Sequence, residues 1–428
     1  MSSPSRPPSY RAVLSHPLAR RAFGAALLGR LSYGTVFLSL TLALTGTTGS
    51  YALAGGVIAL FGLTNSLLSP LRAGLIDRYG PRRALPPMTA LYALLLICLA
   101  VLTWRPGTSG WLLTALAIAA GGCAPPLGPV MRTLWSDLLP DRQLLQRAYT
   151  LDTVAEELLF ITGPLLAGLL AALATPAAGV ILSAALITIG TFALVSSPAI
   201  RAAQSLRADT ASVVAPYEGP GADPAPTSPR RPWMRVSGAL LLPVATSAAV
   251  GLCLGALSLL MVVFAERHHQ TTAVAWVEAA LSAGSAVAGL TYGAVSWRVS
   301  GRVRLPVLAA GLGLALAAAG ASPNLYALVA MTCVVGLFVA PALTTAYLLA
   351  DEFAKPENRT QAGAWVNTAF NTGASMGTAA IGLLVDGLSL SLCFVLAATP
   401  ALLSALMAVG RPGRPATPLL RPPANRQS

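Results

Sequence analysis

The chain alternates long apolar runs with short polar ones, and the apolar runs share a common length. Each holds about 20 residues, the number a helix rising 1.5 Å per residue needs to cross a hydrocarbon layer roughly 30 Å thick. They fall near residues 22–44, 51–71, 84–104, 111–131, 149–172, 177–196, 238–264, 273–297, 305–321, 325–349, 362–385 and 388–410. Closed barrels are the other architecture that satisfies the backbone inside lipid, and these runs are too long and lack a barrel strand's alternation. The pattern predicts an all-α integral membrane protein with twelve transmembrane helices.

Basic residues test that count, because cytoplasmic loops are enriched in them. With the N-terminus inside, 25 of the 28 basic residues fall in inside segments, Arg72, Arg132, Arg142 and Arg147 among them. Arg105 and Arg267 fall outside, and Arg30 lies within a span. A missed span would scramble this asymmetry, so both termini are placed in the cytoplasm. The run after Arg21 is as long as a full span and lacks an early cleavage site, which predicts a retained helix. The one long loop, 197–237, is rich in proline from Pro216 to Pro232 and poor in large apolar residues. It reads as a flexible cytoplasmic linker. The chain thus divides into an N-terminal segment (1–21), a six-helix bundle (22–196), the linker, a second six-helix bundle (238–410) and a basic tail (411–428).

Composition narrows the picture further. Only 10% of residues are charged, too few to clothe a soluble surface, so the lipid bilayer is the solvent. The net charge of +13 sits in loops and is not interleaved with aromatics, which makes it a topology signal and excludes nucleic acid as a partner. Lys355 is the single lysine, an arginine bias that points to a GC-rich bacterial genome and hence to a bacterial cytoplasmic membrane. The five cysteines lie inside apolar runs with no Cys-x-x-Cys pair and no His or acidic cluster beside them, so neither a metal nor another cofactor is expected. A monomer is expected.

The two halves carry related loops. Gly74-Leu75-Ile76-Asp77-Arg78-Tyr79-Gly80-Pro81-Arg82-Arg83 follows the second span, and Gly293-Ala294-Val295-Ser296-Trp297-Arg298-Val299-Ser300-Gly301-Arg302 follows the eighth. Both run from a glycine at a helix end through an arginine to a second glycine with an arginine close behind, at equivalent places, as a duplication would leave them. The first loop resembles the signature between helices two and three of the major facilitator superfamily, with one residue fewer before Asp77 and Pro81 inserted before Arg82. The resemblance covers nearly the whole chain. It implies two pseudo-symmetric six-helix bundles rocking about a central cavity. It also implies that Gly74, Asp77, Arg78, Gly80, Arg82 and Arg83 form a cytoplasmic gate. In that gate Asp77 meets the N-terminus of helix eleven near Gln361, and the arginines make salt bridges. The plainer reading leaves the arginines as topology anchors. In span five, Gly163-Pro164-Leu165-Leu166-Ala167-Gly168 resembles the motif of proton-coupled drug exporters in that family. There Gly163 and Gly168 would permit close helix packing and Pro164 would bend the helix. Leu159 and Ala167 stand where that motif has glycine, and the exporters' arginine motif is missing from span four.

Charge inside a membrane costs about 2.5 kcal/mol or more and marks candidate function. Arg30 lies some way into span one, and Glu156 and Glu157 about as deep in span five. Arg30 is expected to pair with Glu156 or Glu157, either as a proton-coupling switch or as a static structural pair. Asp152 reads as a solvated residue at the interface. Span eleven is polar: Trp365, Asn367, Thr368, Asn371 and Thr372, with Tyr33, Asn65 and Tyr347 elsewhere, are candidates to line a substrate cavity or to bond helices together. No nucleotide-binding or hydrolase motif is present. The leading expectation is a secondary transporter, proton-coupled, exporting a small amphipathic or drug-like molecule. An uptake symporter for a sugar, peptide or organic acid is the alternative in kind. A membrane-embedded lipid-modifying enzyme is the alternative in class, with Asp351 and Glu352 as its nearest approach to an acidic site.

Overall fold

The computed structural model describes residues 10–15, 17–104, 107–139, 141–214, 238–270 and 274–409. Fifteen α-helices cover them: α1 (Tyr10–Ser15), α2 (Pro17–Thr48), α3 (Tyr51–Tyr79), α4 (Pro81–Thr103), α5 (Gly110–Cys123), α6 (Leu127–Leu138), α7 (Arg142–Leu173), α8 (Pro176–Ser196), α9 (Pro198–Val214), α10 (Leu241–Arg267), α11 (Val274–Ala294), α12 (Gly301–Ala319), α13 (Leu325–Phe353), α14 (Arg359–Leu384) and α15 (Leu390–Val409). Helices α2 to α8 make the first bundle, with α5 and α6 as the two halves of span four, and α10 to α15 make the second. Eleven spans are long and apolar enough to cross a bilayer, and α14 is the polar twelfth.

Several helices outrun their apolar stretches. The seventh begins at Arg142, not near residue 149, and α3 continues past Arg72 to Tyr79. Hydrogen bonding carries a helix on after its apolar run stops, so hydropathy alone sets the ends short. The segment read as a flexible linker opens as helix α9, whose Ala199, Ile200 and Ala203 are buried. The rest of the linker, 215–237, and the tail 411–428 lie outside the described residues.

Glycines set how closely the helices approach. Gly251 and Gly255 of α10 lie against the backbone of Phe370 and Ala374 in α14, and Gly373 and Gly377 of α14 lie against Ala248 and Leu252 in α10, so at each a Cβ would run into the opposite backbone. Gly163 of α7 meets Gly34 of α2 in the same way, whereas nothing lies within 4 Å of where a Cβ on Gly168 would stand. Close packing in the Gly-Pro motif therefore rests on Gly163, and the expectation for Gly168 is corrected.

Candidate functional site

Four charged side chains meet inside the first bundle. Asp152 and Glu156 lie one turn apart on the same face of α7. Arg30 of α2 reaches both, with Nη1 at 2.6 Å from Asp152 Oδ1 and Nη2 at 2.9 Å from Glu156 Oε2. Arg132 of α6 does the same, at 3.0 Å from Asp152 Oδ2 and 2.5 Å from Glu156 Oε2. The formal charges cancel, which is the condition for burying four ions together. Asp152 is 0% exposed, Arg30 2% and Arg132 3%, while the Glu156 side chain keeps 25%. From the second bundle, the ring of Tyr347 lies 3.6 Å from the Arg132 guanidinium, a cation–π contact across the bundle interface.

Two expectations change here. Asp152 is not a solvated interfacial residue but the most buried member of the cluster. Arg132 is not a loop anchor, and Arg72 and Arg147, placed in loops from sequence, are likewise helical and buried. Each sits where its helix faces protein, a distinction that a hydropathy pattern does not carry. Arg30 contacts Glu156 and Asp152, and Glu157 makes no ion pair with any described residue.

Beside the cluster, span four is broken. Its chain runs Ala124-Pro125-Pro126 between α5 and α6, where proline removes donors and disfavours helix in the residue before it. Arg72 covers the end of α5, donating to Gly121 O at 2.6 Å. Asn65 holds Arg72 in turn, through its backbone oxygen at 2.5 Å and its Oδ1 at 3.0 Å. A cation suits the negative end of a helix. Tyr33 donates to Pro125 O and accepts from Leu127 N. Tyr33 and Asn65, candidate cavity residues, thus hold the break. The N-terminal turn of α6 faces the cluster: a Cβ on Gly128 would stand 3.8 Å from Glu156 Oε1. The Pro125-Pro126 pair was the available sign of this discontinuity.

Glu157 points the other way, to the second bundle. Ser285 of α11 donates to its Oε1 at 2.5 Å and accepts from Ala340 N at 3.2 Å. Glu157 Oε2 is buried without a hydrogen-bond partner. Elsewhere between the bundles Thr368 of α14 donates to Ser66 O of α3 at 2.8 Å, and within the second bundle Tyr347 donates to Asn367 Oδ1 at 3.4 Å. Trp365, Asn371 and Thr372 are partly exposed along α14.

The bundles are fastened at the face where α2 begins and α15 ends. Asp77 accepts from Gln361 N at 2.9 Å and Thr360 N at 3.3 Å, an anion at the positive end of α14. Gly74 gives α14 room, since a Cβ there would lie 2.9 Å from Gln361 Nε2. Gly80 turns the chain with φ 80°, a conformation glycine adopts without strain. Arg359 reaches Asp351 at 3.6 Å and, across the interface, Asp137 at 3.5 Å; Arg142 reaches Glu352 at 3.5 Å. The salt bridges expected of Arg78, Arg82 and Arg83 are not formed among the described residues: all three are exposed, and Arg78 stacks on Tyr79. Cavities of about 30 and 10 Å³ remain in this face, large enough for water only.

Away from that face α7 loses its cover. Between Gln146 and Val154 all but one residue of α7 is buried, but from Leu158 onward only Gly163 and Ala167 are. The bundles are thus closely packed along α7 at the face carrying the arginines, and α7 is largely exposed beyond it.

The sequence model of the Major Facilitator Superfamily matches residues 22–271 and 246–427. No curated protein matches the chain in sequence. Among solved structures, a bacterial homologue of the iron transporter ferroportin, outward-facing with soaked iron, superposes with a TM-score of 0.70 at 13% identity, over 92% of this chain and 99% of that one. The human organic anion transporter MFSD10 (TETRAN) gives 0.67 at 17% identity, over 94% and 100%. The proton:xylose symporter XylE bound to 6-bromo-6-deoxy-D-glucose gives 0.65 at 12%, over 91% and 94%. At such identities the likeness establishes the fold.

Proposed function

Because the chain belongs to the major facilitator superfamily, we propose that it is a secondary transporter working by alternating access, which exports a small amphipathic molecule in exchange for protons. The arginine-rich face is the cytoplasmic one by the positive-inside rule. The closed face is then cytoplasmic, and this conformation is outward-open. Export is supported by the likeness of Gly163-Pro164 to the exporter motif.

Glu157 is the observation that carries the coupling. It is a carboxylate at membrane depth, at the contact between the bundles, with a single hydroxyl partner from the opposite bundle and no cation. A charge there is unpaired, and a proton removes it. Taking up and losing that proton alters the Glu157–Ser285 contact, which is the contact the rocking motion must break. Glu156, held by two guanidinium groups, is the anchor, and Glu157 is the proton carrier. The neutral cluster of Arg30, Arg132, Asp152 and Glu156 keeps α2, α6 and α7 moving as one body.

The test uses inside-out vesicles containing the full chain, with a pH gradient imposed and amphipathic drugs, sugars and amino acids added in turn. A compound that collapses the gradient with the native chain but not with Glu157→Gln identifies the substrate class and the carrier. Labelled solute equilibrating through the native chain with no proton movement for any compound sinks the coupling.

A further inference from the structure

The duplicated loop of the second half holds no carboxylate between Gly293 and Arg302, so it has no counterpart of Asp77. It is fastened nonetheless. The last carbonyls of α11 are taken by donors from the other half of the chain. Gln146 Nε2 donates to Tyr292 O at 2.9 Å and to Val295 O at 3.2 Å. Arg147 Nη2 donates to Ala294 O at 2.9 Å. Tyr10 Oη, from the short helix α1 ahead of the first span, donates to Leu290 O at 2.5 Å.

The packing is shaped for these contacts. A Cβ on Gly293 would meet the Tyr10 hydroxyl and lie 2.8 Å from Thr150 Oγ1, and one on Gly289 would lie 3.1 Å from Val154 Cγ2. Two glycines one turn apart thus let α11 lie against α7. Arg304 completes the arrangement from the second bundle, at 3.3 Å from Gln146 Oε1 and 2.8 Å from Tyr292 Oη. Gln146 and Arg147 are 8% and 3% exposed, and buried polar groups of this kind are expensive to leave without partners.

We infer that Tyr10, Gln146 and Arg147 form a second cytoplasmic latch, the pseudo-symmetric counterpart of the Asp77 latch with its polarity inverted, and that the N-terminal segment is a working part of it. In the first latch a side-chain anion on the second span meets backbone N–H groups at the start of the eleventh. In the second, side-chain donors at the start of the fifth span meet backbone carbonyls at the end of the eighth. The donor and acceptor roles of side chain and backbone are exchanged. Each latch seals one of the two lines along which the bundles meet, so both must open for the cytoplasmic face to part. The inference rests on the alternating-access reading.

The test needs neither substrate nor gradient. Spin labels at Arg83 and Val303, both exposed and on opposite bundles near this face, report its opening by distance distributions of the full chain in nanodiscs. Tyr10→Phe, which removes one oxygen, is expected to raise the cytoplasm-open population about fivefold, and Arg147→Met by at least as much. Either change combined with Asp77→Asn should multiply the two single effects, and Tyr10→Phe should leave the thermal midpoint within error of the native value. Unchanged distances in both Tyr10→Phe and Arg147→Met overturn the inference. If Asp77→Asn moves the distances in the same preparation, alternating access stands without the second latch; if it does not, both fall.

Discussion

Removing the Asp152 carboxylate should cost far more than removing Glu156, although both carboxylates touch the same two arginines. Asp152 is 0% exposed, with guanidinium nitrogens at 2.6 and 3.0 Å, so Asp152→Asn leaves Arg30 and Arg132 sharing one carboxylate and strands a net positive charge in protein. Breaking a buried ion pair in this way costs about 3–5 kcal/mol, most of it the desolvation of the charge left behind. Glu156 lies against the other nitrogens of the same two guanidinium groups but keeps a quarter of its side chain exposed, so water and counter-ions reach the site when it is lost. Discounted for that screening, Glu156→Gln should cost about 1–2 kcal/mol. Asp152→Asn combined with Arg30→Met restores neutrality while leaving Arg132 on Glu156, and should recover more than half of the loss. Reversible unfolding in mixed micelles, titrated with a denaturing detergent, measures all three. Equal costs for the two single variants, or a double variant no better than Asp152→Asn alone, would show that charge balance is not what holds the cluster together.

Three further outcomes follow from the geometry. Asp77→Asn weakens the hold on the N-terminus of α14 by about 0.3–2 kcal/mol, and should raise alkylation of a cysteine placed at Thr133, buried in the same face. Gly163→Leu should abolish the folded monodisperse protein on size-exclusion chromatography because α2 and α7 can no longer touch, while Gly168→Leu leaves its elution unchanged. Burial pushes the Tyr10 hydroxyl up to about 12, with the nearby Arg147 charge pulling it back. Its contribution to holding the closed face together is therefore fully present below pH 10, the ordinary tyrosine value, and is lost as pH rises through 12. Spin-label distances at the arginine-rich face should show no Tyr10-dependent change between pH 5 and 9.

The sequence carried the architecture and part of the site. Run length and arginine placement were enough for twelve spans, because a bilayer imposes one thickness on every helix and one charge bias on every loop. Arg30 and Glu156 stood out because a charge in an apolar run is costly in lipid and calls for a partner. Asp152, Arg132 and Arg72 did not, because each stands near the end of its apolar run, where depth and helix face decide between water and burial. The second latch was hidden for another reason. Its acceptors are backbone carbonyls, which no residue type advertises, and its donors, Tyr10, Gln146 and Arg147, lie far in sequence from α11. Only Gly293, flagged by the duplicated loop, pointed toward it.

The glycine seam between α10 and α14 bears on how the chain is made. With Gln361, Asn367, Thr368, Asn371, Thr372 and Ser375, α14 is the most polar of the spans and gains least from lipid on the strength of its own side chains. Its partner is α10, made four spans earlier, whose Gly251 and Gly255 present bare backbone to Phe370 and Ala374. By the time span eleven is made, the surface it packs on is already complete, so the order of synthesis matches the order in which the contacts are needed.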